Sequence, residues 1–192
     1  MKIRLETPRL ILREFTEADA ESLFELDSDP EVMRYLGPYQ LGDVEAYRSR
    51  IQTVNIPYYA EHPGYGVYAV VEKAGGAFLG WILLRPGLAY RFAAEAGFRA
   101  EDVELGYRLR RSAWGKGYAS EGSRGLVHDA FTRLGTACVV AVALVGNRAS
   151  TRVMEKVGLR CVEEFRLPGF EEPAVKYALE KNDYDPQRGC GR

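Results

Sequence analysis

The chain has 192 residues, with 26 Lys and Arg against 27 Asp and Glu, a formal charge of -1, and 46% apolar and 28% charged residues. That balance predicts one globular domain over residues 1–184, large enough to bury most of its apolar surface, and it excludes disorder and bulk binding of nucleic acid or anionic membrane. No apolar run reaches the roughly 18 residues of a membrane span, and MKIRLETPRL lacks the apolar core of a signal peptide, so a cytoplasmic protein is expected.

Residues 9–15 (RLILREF) alternate apolar and charged, as a half-buried strand does, and Thr16 with Asp19 signals the start of a helix over 17–27. Asp29-Pro30 opens a short helix, and Asp43 opens a third over 44–55 that should end before Pro57. Residues 64–73 and 78–85 are β-branched and aromatic runs around Ala74-Gly75-Gly76-Ala77, a hairpin signal. Residues 86–101 form a long excursion with Tyr90, Phe92 and Phe98, expected as a flap. Further strands follow at 102–110, 137–145, 159–166 and 174–179, with helices at 118–133 and 148–157, the last closed by Gly158. Residues 185–192 read as a disordered tail. The order β-α-α-α-β-β-β-α-β-α-β-β is that of an α/β sheet with helices on both faces.

Cys138, Cys161 and Cys190 are widely spaced, which argues against a disulfide framework, and the apolar runs around the first two predict buried thiols. His62 and His128 have no partner at ligand spacing, so no metal is expected.

The most informative stretch is 105–121, LGYRLRRSAWGKGYASE. A strand runs into Trp114-Gly115-Lys116-Gly117-Tyr118-Ala119, and a helix begins at once. Two glycines permit a tight turn, and the helix start supplies orphan N–H donors and a positive dipole end, an arrangement that suits a pyrophosphate. Arg108, Arg110, Arg111 and Lys116 add positive charge with no acid between 105 and 120. The stretch lacks the Gly-Lys-Ser/Thr of a Walker loop and the third glycine of a dinucleotide fingerprint.

This run resembles the acyl-CoA pyrophosphate loop of the GCN5-related N-acetyltransferases, Gln/Arg-x-x-Gly-x-Gly/Ala. Gly117 and Ala119 match the last two fixed positions, whereas Trp114 stands where Gln or Arg is expected. Trp-Gly-x-Gly-Tyr-Ala is usual in the RimJ/RimL-like branch, the ribosomal-protein-alanine N-acetyltransferases. Three further stretches are similar to that branch: Thr7-Pro8-Arg9-Leu10-Ile11-Leu12-Arg13, Glu104-Leu105-Gly106-Tyr107, and Asn147-x-x-Ser150-x-x-Val153-x-x-Lys156-x-Gly158. The resemblance implies a mixed, mostly antiparallel sheet of six to seven strands with a central splay. It also implies acetyl-CoA as co-substrate, with the pantetheine arm on the backbone of Tyr107, Arg108 and Leu109 and the pyrophosphate on residues 114–120, Ser120 included.

Direct transfer from thioester to amine needs a neutral amine, a polarised carbonyl and a proton for the leaving thiolate. Neutralising a lysine at pH 7 costs about 4.6 kcal/mol and an α-amine only about 1 kcal/mol. Glu104 is the candidate base, with a structural strand glutamate as the alternative. Asn147 reads as a helix N-cap and, by resemblance, as a pantetheine contact. Ser150 is the candidate acid where many relatives use tyrosine, and Arg152 is a candidate phosphate contact.

Eight acids (Glu14, Glu17, Asp19, Glu21, Glu25, Asp27, Asp29, Glu31) occur between Glu14 and Met33 without a Lys or Arg. They and the base-only stretch are expected to form the amine and phosphate ends of one cleft. Trp81, Tyr58 and Tyr59 either line a pocket or fill the core. The expected function is acetyl transfer to a primary amine, on a protein N-terminus or a small molecule, by a monomer or homodimer. A non-catalytic acyl-CoA sensor is the alternative.

Overall fold

The computed structural model describes residues 2–37 and 42–186, so most of the expected tail, residues 187–192, lies outside the described residues. Eight strands form a mostly antiparallel sheet in the order β1-β2-β3-β4-β5-β6-β8-β7. One strand beyond the expected six to seven is β1 (Ile3–Glu6), paired antiparallel with β2 (Leu10–Arg13). The others are β3 (Gly66–Glu72), β4 (Phe78–Pro86), β5 (Asp102–Leu109), β6 (Cys138–Leu144), β7 (Arg160–Phe165) and β8 (Ala174–Glu180). The helices are α1 (Ala20–Ser28), α2 (Pro30–Met33), α3 (Val44–Arg50), α4 (Ile56–Glu61), α5 (Tyr118–Thr132) and α6 (Arg148–Val157). The chain divides into two compact units, one of Met1–Leu83 with Tyr107–Gly122 and one of Leu84–Gly106 with Ser123–Arg192.

In the first unit, Leu10 and Leu12 of β2 are fully buried while Ile11 and Arg13 are half-buried, the period of two that the sequence displays. A 3-10 turn precedes α1, and the Asp19 carboxylate accepts from the Thr16 N–H at 2.8 Å, closing that end. Phe15, Leu23, Leu26, Val32, Tyr47 and Ile51 make a core against which Trp81 and Phe24 pack. The third helix does not stop before Pro57. After α3 the chain widens into a π-turn (Ile51–Asn55), in which Ile56 N–H bonds to Ile51 O, and α4 continues with Pro57 in its first turn. The wider turn removes the conflict, because a proline there forfeits no N–H that the helix needs. Tyr59 is core: it stacks on Tyr68 at 5.7 Å, donates to Val67 O and accepts from Phe15 N–H. Gly80 interrupts β4 for a steric reason, since a Cβ there would strike the Arg108 carbonyl and come within 2.8 Å of Leu109 Cα.

In the second unit, β5 pairs in parallel with β6 at Asp102, Val103 and Glu104, and β6 pairs antiparallel with β8 along its whole length. Gly158, with φ 104°, ends α6 in the left-handed conformation the sequence predicts, and Thr151, Met154 and Val157 form the buried stripe of that helix. The excursion between β4 and β5 packs against the sheet. Ala93, Ala96 and Phe98 are buried with Cys138 and Val140, and the Lys176 ammonium donates to Gly97 O at 2.9 Å while lying 5.3 Å from the Phe98 ring. Cys138 is buried as expected, and burial first, then the Asp102 charge, pushes its thiol up to about 12. Cys161 corrects the sequence reading: it is exposed, because β7 shows nearly all its residues to solvent.

Candidate active site

The glycine turn is built from residues of the first unit. Strand β5 ends at Leu109, a 3-10 turn (Arg111–Ala113) follows, and Gly115 and Gly117 take φ of 74° and 82°, values that a residue with a Cβ adopts only under strain. Helix α5 starts at Tyr118, and its first i to i−4 bond is Glu121 N–H to Gly117 O at 3.0 Å. The N–H groups of Tyr118, Ala119 and Ser120 therefore precede the intrahelical ladder. Trp114, 47% exposed, donates its indole N–H to Leu109 O at 2.8 Å, so the residue that replaces the usual Gln or Arg braces the turn against the end of β5.

The basic residues around this turn divide in two. Arg108 donates to Asp27 of α1, and Arg110 donates to Glu25 at 2.7 Å. Among the described residues, the exposed side chains of Arg111 and Lys116 have no hydrogen bond or ion pair. The acid run is divided as well: Asp19 is held by two bonds from Arg13, at 2.6 and 2.7 Å, Glu14 pairs with Lys2, and Asp29 caps α2 by accepting from Glu31 N–H. Two acids and two bases of these stretches pair with one another, as Asp27–Arg108 and Glu25–Arg110. A cavity of about 800 Å³ lies beside them, lined by Glu25, Leu26, Asp29, Glu31, Val32, Arg110, Arg111, Ser112 and Trp114.

In the second unit, Glu104 is 8% exposed and receives the Arg85 guanidinium at 2.5 Å. Burial raises its carboxyl above the ordinary 4.5, and the Arg85 charge and hydrogen bond only partly offset that rise. Tyr90 lies in reach of the same charge. Burial and then Glu104 push its phenol up to about 12. Asn147 is the N-cap of α6, its Oδ1 accepting from Ser150 N–H at 3.2 Å, while Ser150 is half-buried and Arg152 exposed. Among the described residues no group of three or more His, Cys, Asp or Glu could hold a metal ion, and no helix is long and apolar enough to cross a membrane.

Sequence reasoning missed two residues. Arg85 ends a plain apolar run and gives no local sign of its pairing with Glu104. Arg9 was read only as part of a motif, yet its guanidinium donates to Glu121 at 2.6 Å and to the Lys116 carbonyl at 2.9 Å. The motif itself was the available signal.

A family model described as an acetyltransferase (GNAT) domain matches residues 9–160. A protein of Aspergillus fumigatus called FsC-acetyl coenzyme A-N(2)-transacetylase is 34% identical over 94% of this chain and 77% of its own length. An uncharacterized N-acetyltransferase of Bacillus subtilis, YoaA, is 33% identical over 81% of this chain and 82% of its own. Among solved structures, a GNAT-family acetyltransferase from Bacillus anthracis superposes with a TM-score of 0.74 at 24% identity, covering 95% of this chain and 99% of the other. RimL, a ribosomal L7/L12 alpha-N-protein acetyltransferase in complex with coenzyme A, gives 0.74 at 20%, covering 95% and 100%. At these identities the two structures share its fold.

Proposed function

The chain belongs to the GNAT acetyltransferase family, whose enzymes use acetyl-CoA as co-substrate, and on that premise we propose that it acetylates an α-amine, on a peptide N-terminus or a small molecule, by direct attack in a ternary complex. The observation that carries the reading is the turn at Gly115 and Gly117: left-handed glycines, helix N–H groups ahead of the ladder, and the cations Arg111 and Lys116, which have no partner among the described residues. These would hold the pyrophosphate at residues 114–120. The backbone of Tyr107, Arg108 and Leu109, the amide of Asn147 and the Arg152 guanidinium would hold the rest of the cofactor.

Glu104 would take the proton from the acceptor ammonium, directly or through water. The amine lone pair then attacks the thioester carbonyl carbon, the C–S bond breaks, and the nitrogen sheds its second proton, which Ser150 takes up as it passes its own to the thiolate. An α-amine fits this base better than a lysine, since it yields its proton for about 1 kcal/mol at pH 7 against about 4.6 kcal/mol. The A. fumigatus relative is named for transfer to an N(2) position and RimL for an alpha-N position. Both names favour a nitrogen acceptor of this kind.

Two measurements test the proposal. Acetyl-CoA at 100 times its Kd stabilises the fold by about 2.7 kcal/mol, and no thermal shift at saturation would exclude the cofactor site. A thiol-release assay should then show faster turnover with amino-terminal peptides or α-amino compounds than with compounds offering only an ε-amine. The reverse order overturns the acceptor class.

A further inference from the structure

Arg9 connects the N-terminal strand region to the glycine turn through a closed set of contacts within the first unit. Its backbone N–H and its Nε donate to the two carboxylate oxygens of Glu121 at 2.9 and 2.6 Å, and Thr7 Oγ1 donates to the same carboxylate at 2.5 Å. Its Nη1 donates to the Lys116 carbonyl at 2.9 Å, and its guanidinium lies 4.5 Å from the centre of the Tyr118 ring. Tyr118 in turn donates to Glu72. Burial alone would push the Glu121 carboxyl up, but the bonds from Thr7 and Arg9 hold it below its ordinary value, so the carboxylate stays charged.

The carbonyl of Lys116 and the N–H of Gly117 belong to one planar, trans peptide unit and point in opposite directions. A donor fixed on that carbonyl therefore turns the Gly117 N–H away from Arg9. Glycine at φ 82° resists rotation of this plane less than any other residue, so the turn needs an external hold.

We propose that Arg9 is a positioning residue of the pyrophosphate site: by gripping the Lys116 carbonyl from a Glu121 anchor, it aims the Gly117 N–H at the phosphate. The inference rests on the reading of residues 114–120 as the pyrophosphate loop. A guanidinium is required because one side chain must serve a carboxylate and a carbonyl together, which an ammonium on a flexible stem does poorly.

The test compares coenzyme A with pantetheine, which lacks the pyrophosphate, as ligands of the full chain. Isothermal titration gives the Kd of the first, and ligand-observed NMR that of the second. Arg9→Met keeps the apolar stem and removes the donors. Its Kd for coenzyme A should rise about tenfold, the worth of one charge-assisted hydrogen bond, with the Kd for pantetheine unchanged. An unchanged Kd for coenzyme A, or an equal loss for both ligands, overturns the proposal, since a general loosening of the fold has no reason to spare pantetheine. If Arg9→Met does not fold, Glu121→Gln, which weakens the anchor, should show the same selective loss at about threefold, and a loss that is absent or unselective overturns the proposal equally. Wild-type protein that fails to bind coenzyme A would overturn the loop reading itself, whereas wild-type binding with no selective loss in the variants removes Arg9 alone.

Discussion

Arg108, on the strand that leads into the glycine turn, gives its charge to Asp27 of α1. The Asp27 carboxylate also accepts from the Tyr47 hydroxyl at 3.1 Å, and the guanidinium lies 5.0 Å from the Trp81 ring centre. Both side chains are largely buried, at 12% and 7% exposure. The pair is therefore a strut between helix and strand rather than a phosphate contact. Asp27→Asn and Arg108→Met should each destabilise the protein by about 3 kcal/mol, because each leaves an uncompensated charge. The double variant should lose well under the sum, and a double-mutant cycle in urea showing additive losses would contradict the coupling.

The Arg85–Glu104 pair makes a prediction about pH. The proposed base role requires Glu104 to be ionised, so kcat/KM should rise with pH through an apparent pKa above the ordinary glutamate value of 4.5. Removing the neighbouring positive charge favours the protonated acid, and Arg85→Met should move this limb to higher pH. Glu104→Gln should abolish the limb and lower kcat by about 100-fold or more. A limb that Arg85→Met leaves in place would remove the pair from the proton transfer. In stability the same shift has the opposite consequence: the contribution of Glu104 is present below its unfolded pKa and is lost as pH rises through the folded one.

Asp19 illustrates the reverse sign. Burial drives its carboxyl up, but the hydrogen bonds and charge of Arg13, with those from Thr16, hold it below the ordinary 3.8. This stabilisation is present above that value and is lost as pH falls through the folded pKa. Arg13→Met should cost about 3 kcal/mol at pH 7, and the gap to wild type should narrow in urea melts as pH falls through the acid range. A pH-independent gap would show that Arg13 acts through packing.

Trp114 stands where a Gln or Arg is usual, and its indole bond to Leu109 O offers a specific check. Trp114→Phe keeps the ring and deletes the donor. It should raise the KM for acetyl-CoA about fivefold at nearly constant kcat, corresponding to about 1 kcal/mol of lost hydrogen bond. A fall in kcat at constant KM would place Trp114 in the chemical step instead.

Much of this fold is legible along the chain because its causes are local. The alternation around Leu10 and Leu12, the Asp43, Asp29 and Asn147 caps, and Gly158 at the end of α6 each depend on residues within a few positions, and each stands where its pattern places it. The same holds for the turn at Gly115 and Gly117, whose backbone follows from two glycines and a helix start. Strand β1 and the passage of helix through Pro57 escaped, the first because four residues carry too weak a pattern, the second because a π-turn relieves the conflict that a regular helix would suffer.

What sequence could not decide is the fate of the charges. Arg9 finds Glu121 across 112 positions, Arg108 finds Asp27 across 81, and Arg85 finds Glu104 across 19, none at a spacing that a helix or hairpin dictates. Read along the chain, the acids before Met33 and the bases after Tyr107 looked like two ends of a cleft. Tertiary packing instead sets several of them against one another, since a buried charge is tolerated only beside its counterion. It thereby leaves Arg111 and Lys116 as the cations of the turn without an internal partner among the described residues. The sequence alone determined that a tight glycine turn runs into a helix start. Only the fold decided which of its basic neighbours hold the protein together and which stay exposed beside the turn.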